Sequence, residues 1–213
     1  MDNRYVKIFA AGSSAPLKAT PGHFATNHAH INYYLDMTTM KTRLSEAQDV
    51  ARTLAGLFPY DRAVDTVLCL EGSQVIGAFF AEELTRAGVC STNAHKTIYI
   101  VTPEFNSNSQ MVFKENILPA IRGKNILLLT AAVTTGLTLN KGIEAVQYYG
   151  GKLQGITAIF SDIESVNGYP VTSMYSQRDV TDYIYYDYRA CPLCAKGQKL
   201  DALVNAYGYT SLD

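Results

Sequence analysis

Tryptophan is absent and cysteine is scarce, with four in 213 residues. So few cysteines exclude a small fold stapled by disulfides. Charge is sparse as well: 17% of the residues are charged, against about 25% in an average soluble domain. The signs nearly cancel, 18 Lys and Arg against 19 Asp and Glu, so no global field recruits nucleic acid or an anionic membrane. No apolar run approaches the roughly 20 residues that span a bilayer. The opening MDNRYVKIFAAGSSAP lacks the basic segment and long apolar stretch of a secretory signal. Internal repeats, low-complexity tracts and Pro- or Ser-rich linkers are missing too. These absences predict a globular, cytoplasmic protein with neither a membrane segment nor a nucleic-acid partner.

What is present is ample apolar material, 47% of the chain, in a length that suits one globular unit. We divide that unit into an N-terminal part (1–60), a core (61–165) and a C-terminal strand and helix extension (166–213). From Lys41 to Phe58, apolar residues at Leu44, Ala47, Val50, Ala51, Leu54 and Leu57 predict a helix. Val64 to Leu70 is a short, β-rich apolar run, and Cys69 within it reads as a buried, inert thiol. Ile76, Phe79, Phe80, Leu84 and Ala87 predict a second helix, with Gly88 as its stop. Thr97–Thr102 reads as a strand, PEFNSNSQ from Pro103 as an exposed loop, and Asn125–Leu129 as a third strand. A helix carrying Leu139, Ile143 and Val146 ends at Gly150-Gly151, and Gly155–Phe160 reads as a fourth strand. The tyrosine-rich Tyr183–Tyr188 reads as a strand of the extension.

Strands alternating with helices predict an α/β fold whose mainly parallel sheet is flanked by helices. Ligands of such sheets bind beyond the carboxyl ends of the strands. Two strand-to-helix loops are therefore of interest, Leu70–Gln74 and Thr130–Thr138. In the second, Thr134, Thr135, Gly136, Leu137 and Thr138 (TTGLT) combine hydroxyl donors, a glycine that permits close approach, and a helix N-terminus. Those features suit a phosphate monoester. An ordinary Thr-rich helix cap explains the same residues.

An apolar strand followed by V-T-T-G-x-T at a helix start resembles the PRPP-binding motif of type I phosphoribosyltransferases. Gly22-His23-Phe24, with Tyr34 and Asp36 following, resembles the N-terminal hood of orotate phosphoribosyltransferases once a one-residue gap is allowed. The resemblance covers about residues 20 to 165, and the phosphate loop is its specific part. It implies a type I phosphoribosyltransferase fold with a small N-terminal hood, and transfer of phosphoribose from PRPP to a nitrogenous base with Mg²⁺ and release of pyrophosphate. It also implies a homodimer, a 5′-phosphate at Thr134–Thr138, and a pyrophosphate-side loop at Glu71, Gly72, Ser73 and Gln74. Phe24, His28 and His30 fall on the base-side hood.

The departures concern charge. The family places two adjacent acids before its phosphate loop to hold the ribose hydroxyls; this chain has Thr130 and Ala131 there. Each lost bond to a charged group costs about 1.5–3 kcal/mol. Between Pro103 and Val112, where the family carries its catalytic loop, no Lys or Arg occurs, and Lys114 is the nearest. Glu71 puts an anion where pyrophosphate should lie. Weak or absent catalysis is therefore expected. The alternative is a non-catalytic protein that binds a nucleotide or ribose phosphate.

Two further clusters carry metal-ligating residue types. His23, His28 and His30 are close enough in sequence to share a zinc ion, to bond a substrate, or merely to form a polar turn. Cys191 and Cys194 (CPLC) are half of a four-thiolate zinc site, a redox pair, or a Pro-containing turn before a last helix. With no second CxxC in the chain, a four-thiolate zinc would have to be shared across a dimer axis.

Overall fold

The computed structural model describes residues 5–86, 92–94 and 96–212. In chain order, β1 (Val6–Ile8), β2 (Leu17–Ala25) and β3 (His30–Asp36) precede α1 (Thr38–Thr42) and α2 (Leu44–Leu57). Next come β4 (Thr66–Cys69), α3 (Gln74–Arg86), β5 (Tyr99–Val101), β6 (Glu104–Phe105) and β7 (Met111–Val112). A 3₁₀ turn at Leu118–Ala120 leads into β8 (Asn125–Val133), α4 (Leu137–Tyr148), β9 (Lys152–Ser161), β10 (Ser165–Val166) and β11 (Tyr169–Ser176). The chain closes with β12 (Tyr185–Tyr186), α5 (Pro192–Ala195), β13 (Ala202–Asn205) and β14 (Gly208–Ser211). The fold is α/β.

One sheet runs β10-β11-β9-β8-β4-β5, parallel throughout except for the antiparallel edge strand β10. Both faces are covered, which is why β4, β8 and β9 read as nearly unbroken apolar runs. Leu127, Leu129 and Val67 point to the side of α2 and α3, where Val50, Leu54, Ile76 and Phe80 are buried. Leu68, Leu128 and Ile156 point to the other side, against Leu139, Ile143 and Val146 of α4. Burial pushes the Cys69 thiol up to about 12, in keeping with an inert core thiol. On α2 the inward stripe is Ala47, Val50, Ala51 and Leu54, whereas Leu44 and Leu57 at its ends are exposed. The sheet extends past residue 165 because β11 joins it, pairing with β9 from Val171 to Ser176. The stop expected at Ala87-Gly88 lies outside the described residues.

The second sheet is the hood, in the order β12-β3-β2-β13-β14 with β1 beside β2. It is built from both ends of the chain: β13 runs parallel to β2, with Ala202 opposite Phe24. Two expectations change here. Only Tyr185 and Tyr186 of the tyrosine run pair as a strand, whereas Tyr183 turns inward and is buried. No long helix follows CPLC; the CPLC residues lie at the short α5, and a β13–β14 hairpin follows. PEFNSNSQ is exposed from Glu104 to Gln110, as expected of a loop, and it closes the β6–β7 hairpin, its turn held by Asn106 Oδ1 accepting the N–H groups of Asn108 and Gln110. Among the described residues no helix is long and apolar enough to cross a membrane.

Candidate functional site

A cavity of about 390 Å³ lies where the hood meets the carboxyl ends of β4 and β8. Its floor is the run Ala131–Leu139, which includes the whole TTGLT segment. Gly136 caps α4 in the left-handed region, at φ 73°, where only glycine is free of strain. A Cβ there would also sit 3.2 Å from Ile163 Cδ1 and Val166 Cγ2. A glycine cap has no side chain to occupy the first-turn N–H groups, which leaves them for a ligand. Leu137 N–H reaches Thr135 Oγ1 only at 3.5 Å, a weak contact.

Glu71 forms one wall. At φ 55° it is one of the described non-glycine residues in the left-handed region. Its Oε2 accepts Thr130 Oγ1–H at 2.9 Å and Ala132 N–H at 3.2 Å. A carboxylate from the loop after β4 thus meets the strand end of β8. Thr130 is buried, with its hydroxyl proton given to Glu71, whereas Ala131 lines the cavity. Gly72, Ser73 and Gln74 do not line it. Ser73 is fully buried, and its hydroxyl hydrogen-bonds the carbonyls of Leu70 and Leu129.

The cation on this side is Lys41 of α1, which sequence reasoning left inside a helix. Its Nζ donates to the carbonyl oxygen of Glu71 at 3.3 Å and to that of Ala206. Burial lowers its pKa, while the charges of Glu71 and Asp36 act to hold the ammonium. The roof comes from β3, through Ile31, Tyr34 and Leu35, and from the β13–β14 turn at Asn205–Gly208. Burial, and secondarily Asp36, pushes the Tyr34 hydroxyl up to about 12, so it stays a neutral donor.

Of the three hood residues expected at the base side, only His28 lines the cavity, from the exposed turn between β2 and β3. Phe24 is in the core, 1% exposed, with its ring 6.1 Å from that of Tyr34. His30 points away from the cavity, toward His23 and Cys194. The CPLC cysteines meet these two histidines within one chain, so a four-thiolate site across a dimer is not needed to complete a ligand set.

No protein-family profile matches the chain, and no curated protein does. Solved structures do. Mycobacterium tuberculosis orotate phosphoribosyltransferase is 17% identical at a TM-score of 0.53, over 77% of this chain and 92% of that one. Thermoanaerobacter pseudethanolicus adenine phosphoribosyltransferase is 15% identical at 0.51, over 68% and 88%. Leishmania donovani UMP synthase is 15% identical at 0.51 and covers 78% of this chain, which spans only 32% of that longer one. The chain therefore has the fold of the type I phosphoribosyltransferases.

Proposed function

We propose that the cavity binds a 5-phosphoribosyl ligand and that the chain transfers phosphoribose from PRPP to a nitrogenous base at a low rate. The observation that carries this reading is the left-handed Gly136 opening α4 onto the cavity floor, beside three threonines. A mycobacterial neighbour of the same fold has been solved in complex with PRPP. In this reading Thr134, Thr135, Thr138 and the first-turn N–H groups hold the 5′-phosphate. The transfer breaks the bond from C1 of the ribose to pyrophosphate, forms a bond from C1 to a base nitrogen, and releases the nitrogen's proton to solvent. Positive charge grows on the ribose ring and negative charge on the departing pyrophosphate, so catalysis depends on fixed charges nearby.

Glu71 is the anion on the ribose side. Magnesium typically binds through one or two carboxylates with substrate oxygens and water, and Glu71 is a carboxylate on the cavity wall that fits such a donor set. When bound, the ion would neutralise charge on the diphosphate. Lys41 keeps one N–H beyond the two given to backbone carbonyls. The β6–β7 hairpin brings no cation: its Glu104 is already paired with Lys114 at 3.1 Å. That shortage is the reason for slow turnover. Orotate is the first acceptor to test, because Lys41 and His28, both on the cavity wall, carry N–H groups suited to a carboxylate.

The lack of a cation on the β6–β7 hairpin favours a second reading, a non-catalytic receptor for a nucleotide or ribose phosphate. Thermal shifts with PRPP, orotate, nucleoside monophosphates and inorganic phosphate, with and without Mg²⁺, separate the two when joined to a pyrophosphate-release assay. A Mg²⁺-dependent response to PRPP with base-dependent release supports transfer. Stabilisation by monophosphates without release supports the receptor. No shift with any phosphate compound overturns both.

A further inference from the structure

We propose that His23, His30, Cys191 and Cys194 form a structural zinc site within a single chain, independent of the phosphoribosyl cavity. Their ligand atoms all lie within 4.8 Å of one another. His23 Nε2 is 3.1 Å from His30 Nδ1, 3.5 Å from Cys191 Sγ and 3.7 Å from Cys194 Sγ. His30 Nδ1 is 3.3 Å from Cys194 Sγ. A tetrahedral zinc, with Zn–N near ~2.05 Å and Zn–S near ~2.3 Å, separates nitrogen from nitrogen by about 3.3 Å and nitrogen from sulfur by about 3.6 Å. These four separations lie within about 0.3 Å of those the ion would impose.

The surroundings fix the ligand form of His23. Its Nδ1 lies 2.9 Å from the carbonyl oxygen of Gln198. A carbonyl only accepts, so Nδ1 carries the proton and Nε2 turns its lone pair toward the cysteines. This is the usual outer support of a metal-bound histidine. The ring is fully buried, and the strand around it is built for that: the β2–β3 register shifts between Pro21 and Phe24, and such a bulge re-aims a side chain. Asp201 secures the same spot, its Oδ2 accepting His23 N–H at 2.6 Å and its own N–H donating to His23 O at 2.8 Å.

Topology brings the two pairs together. β12 lies on one side of the β3–β2 pair and β13 on the other. The segment between them must cross that pair, and α5 with CPLC sits on the crossing. Two thiolates and two imidazoles in a tetrahedron select zinc among the common divalent ions. With four protein ligands no position is left open for substrate, so the role is structural. Binding releases the two thiol protons and ties the β2–β3 hairpin to the last sixth of the chain.

The test is the metal content of reduced protein purified without added metal, measured by mass spectrometry alongside a free-thiol count. We expect about one zinc per chain. Cys194→Ser, at an exposed position, should lower this to less than about a tenth while leaving the far-ultraviolet dichroism unchanged. Cobalt added to the metal-stripped protein should give the strong visible absorption of a tetrahedral site together with a thiolate charge-transfer band. Cys194→Ser should lose much of that band. Half a zinc per chain would mean shared ligation and would overturn the proposal. So would metal-free reduced protein that binds no cobalt, or a Cys191–Cys194 disulfide in freshly prepared protein.

Discussion

Exchange of Glu71 for glutamine separates two opposite roles that its position allows. If the carboxylate serves the ribose or its metal ion, removing the charge weakens binding; if it merely repels a diphosphate, removal tightens it. The fold should tolerate the change, because a glutamine carbonyl can still accept from Thr130 Oγ1 and Ala132 N–H, now at 2.9 and 3.2 Å from Oε2. The loss is from charge-assisted to neutral hydrogen bonds, about 1 kcal/mol for each of the two. On the ligand side, loss of a charge-assisted contact is worth about 1.5–3 kcal/mol, which weakens the Kd by about 10- to 150-fold. Isothermal titration at constant ionic strength should show that weakening for PRPP with Mg²⁺ and little change for inorganic phosphate, which needs only the TTGLT floor. Equal or tighter binding of PRPP with Mg²⁺ by Glu71→Gln would refute the assignment. The same geometry bears on the absence of an acid at 130. An aspartate at that buried position would face the half-buried Glu71 directly, and two like charges that close repel. Glu71 in this place disfavours an acid at 130.

Two further changes test the cradle and the docking of the N-terminal segment on α2. Gly136→Ala forces an L-residue to φ 73° with its methyl 3.2 Å from Ile163 Cδ1 and Val166 Cγ2. A loss of about 2–3 kcal/mol in urea unfolding is expected, together with loss of any phosphate-induced shift in Tm. Wild-type stability with an intact phosphate response would contradict the cradle. Asp49 ties the segment before β2 to α2: burial acts to raise its pKa, but Ser13, Ser14 and Ala15 donate to Oδ2 and hold it below the ordinary 3.8. Its contribution is therefore present above about pH 4 and is lost as pH falls through the lowered folded-state value. Asp49→Asn should flatten that acid-side fall in urea midpoint, modestly because the group is largely solvated; an unchanged pH profile would show the bonds to be inert.

The core sheet was legible because its central strands are buried on both faces and so carry no alternation. VLCL, NILLL and GITAIF announce themselves by composition alone. β11 did not, since it lies toward the edge of the sheet and keeps Thr172 and Ser173 half-exposed. The β6–β7 hairpin was hidden for a different reason: each strand has two residues, too few for any period. Its order comes from the Asn106 side chain rather than from an apolar face.

The site divides along the same line between local and distant partners. TTGLT is readable because the glycine, the hydroxyls and the helix start are contiguous. Lys41 was overlooked because α1 is five residues long, and a cation there has no pattern to mark it as inward. Glu71 looked misplaced because its real partners, Thr130 and Ala132, are about 60 residues away. The histidine and cysteine pairs show the limit most clearly. Each pair alone fits several structures, and the contacts that join them span 164 and 168 residues. A strand's sequence records which face is buried but not which strand lies beside it. The parallel pairing of β13 with β2 places the second pair of ligands over the first, and only the folded chain contains that information.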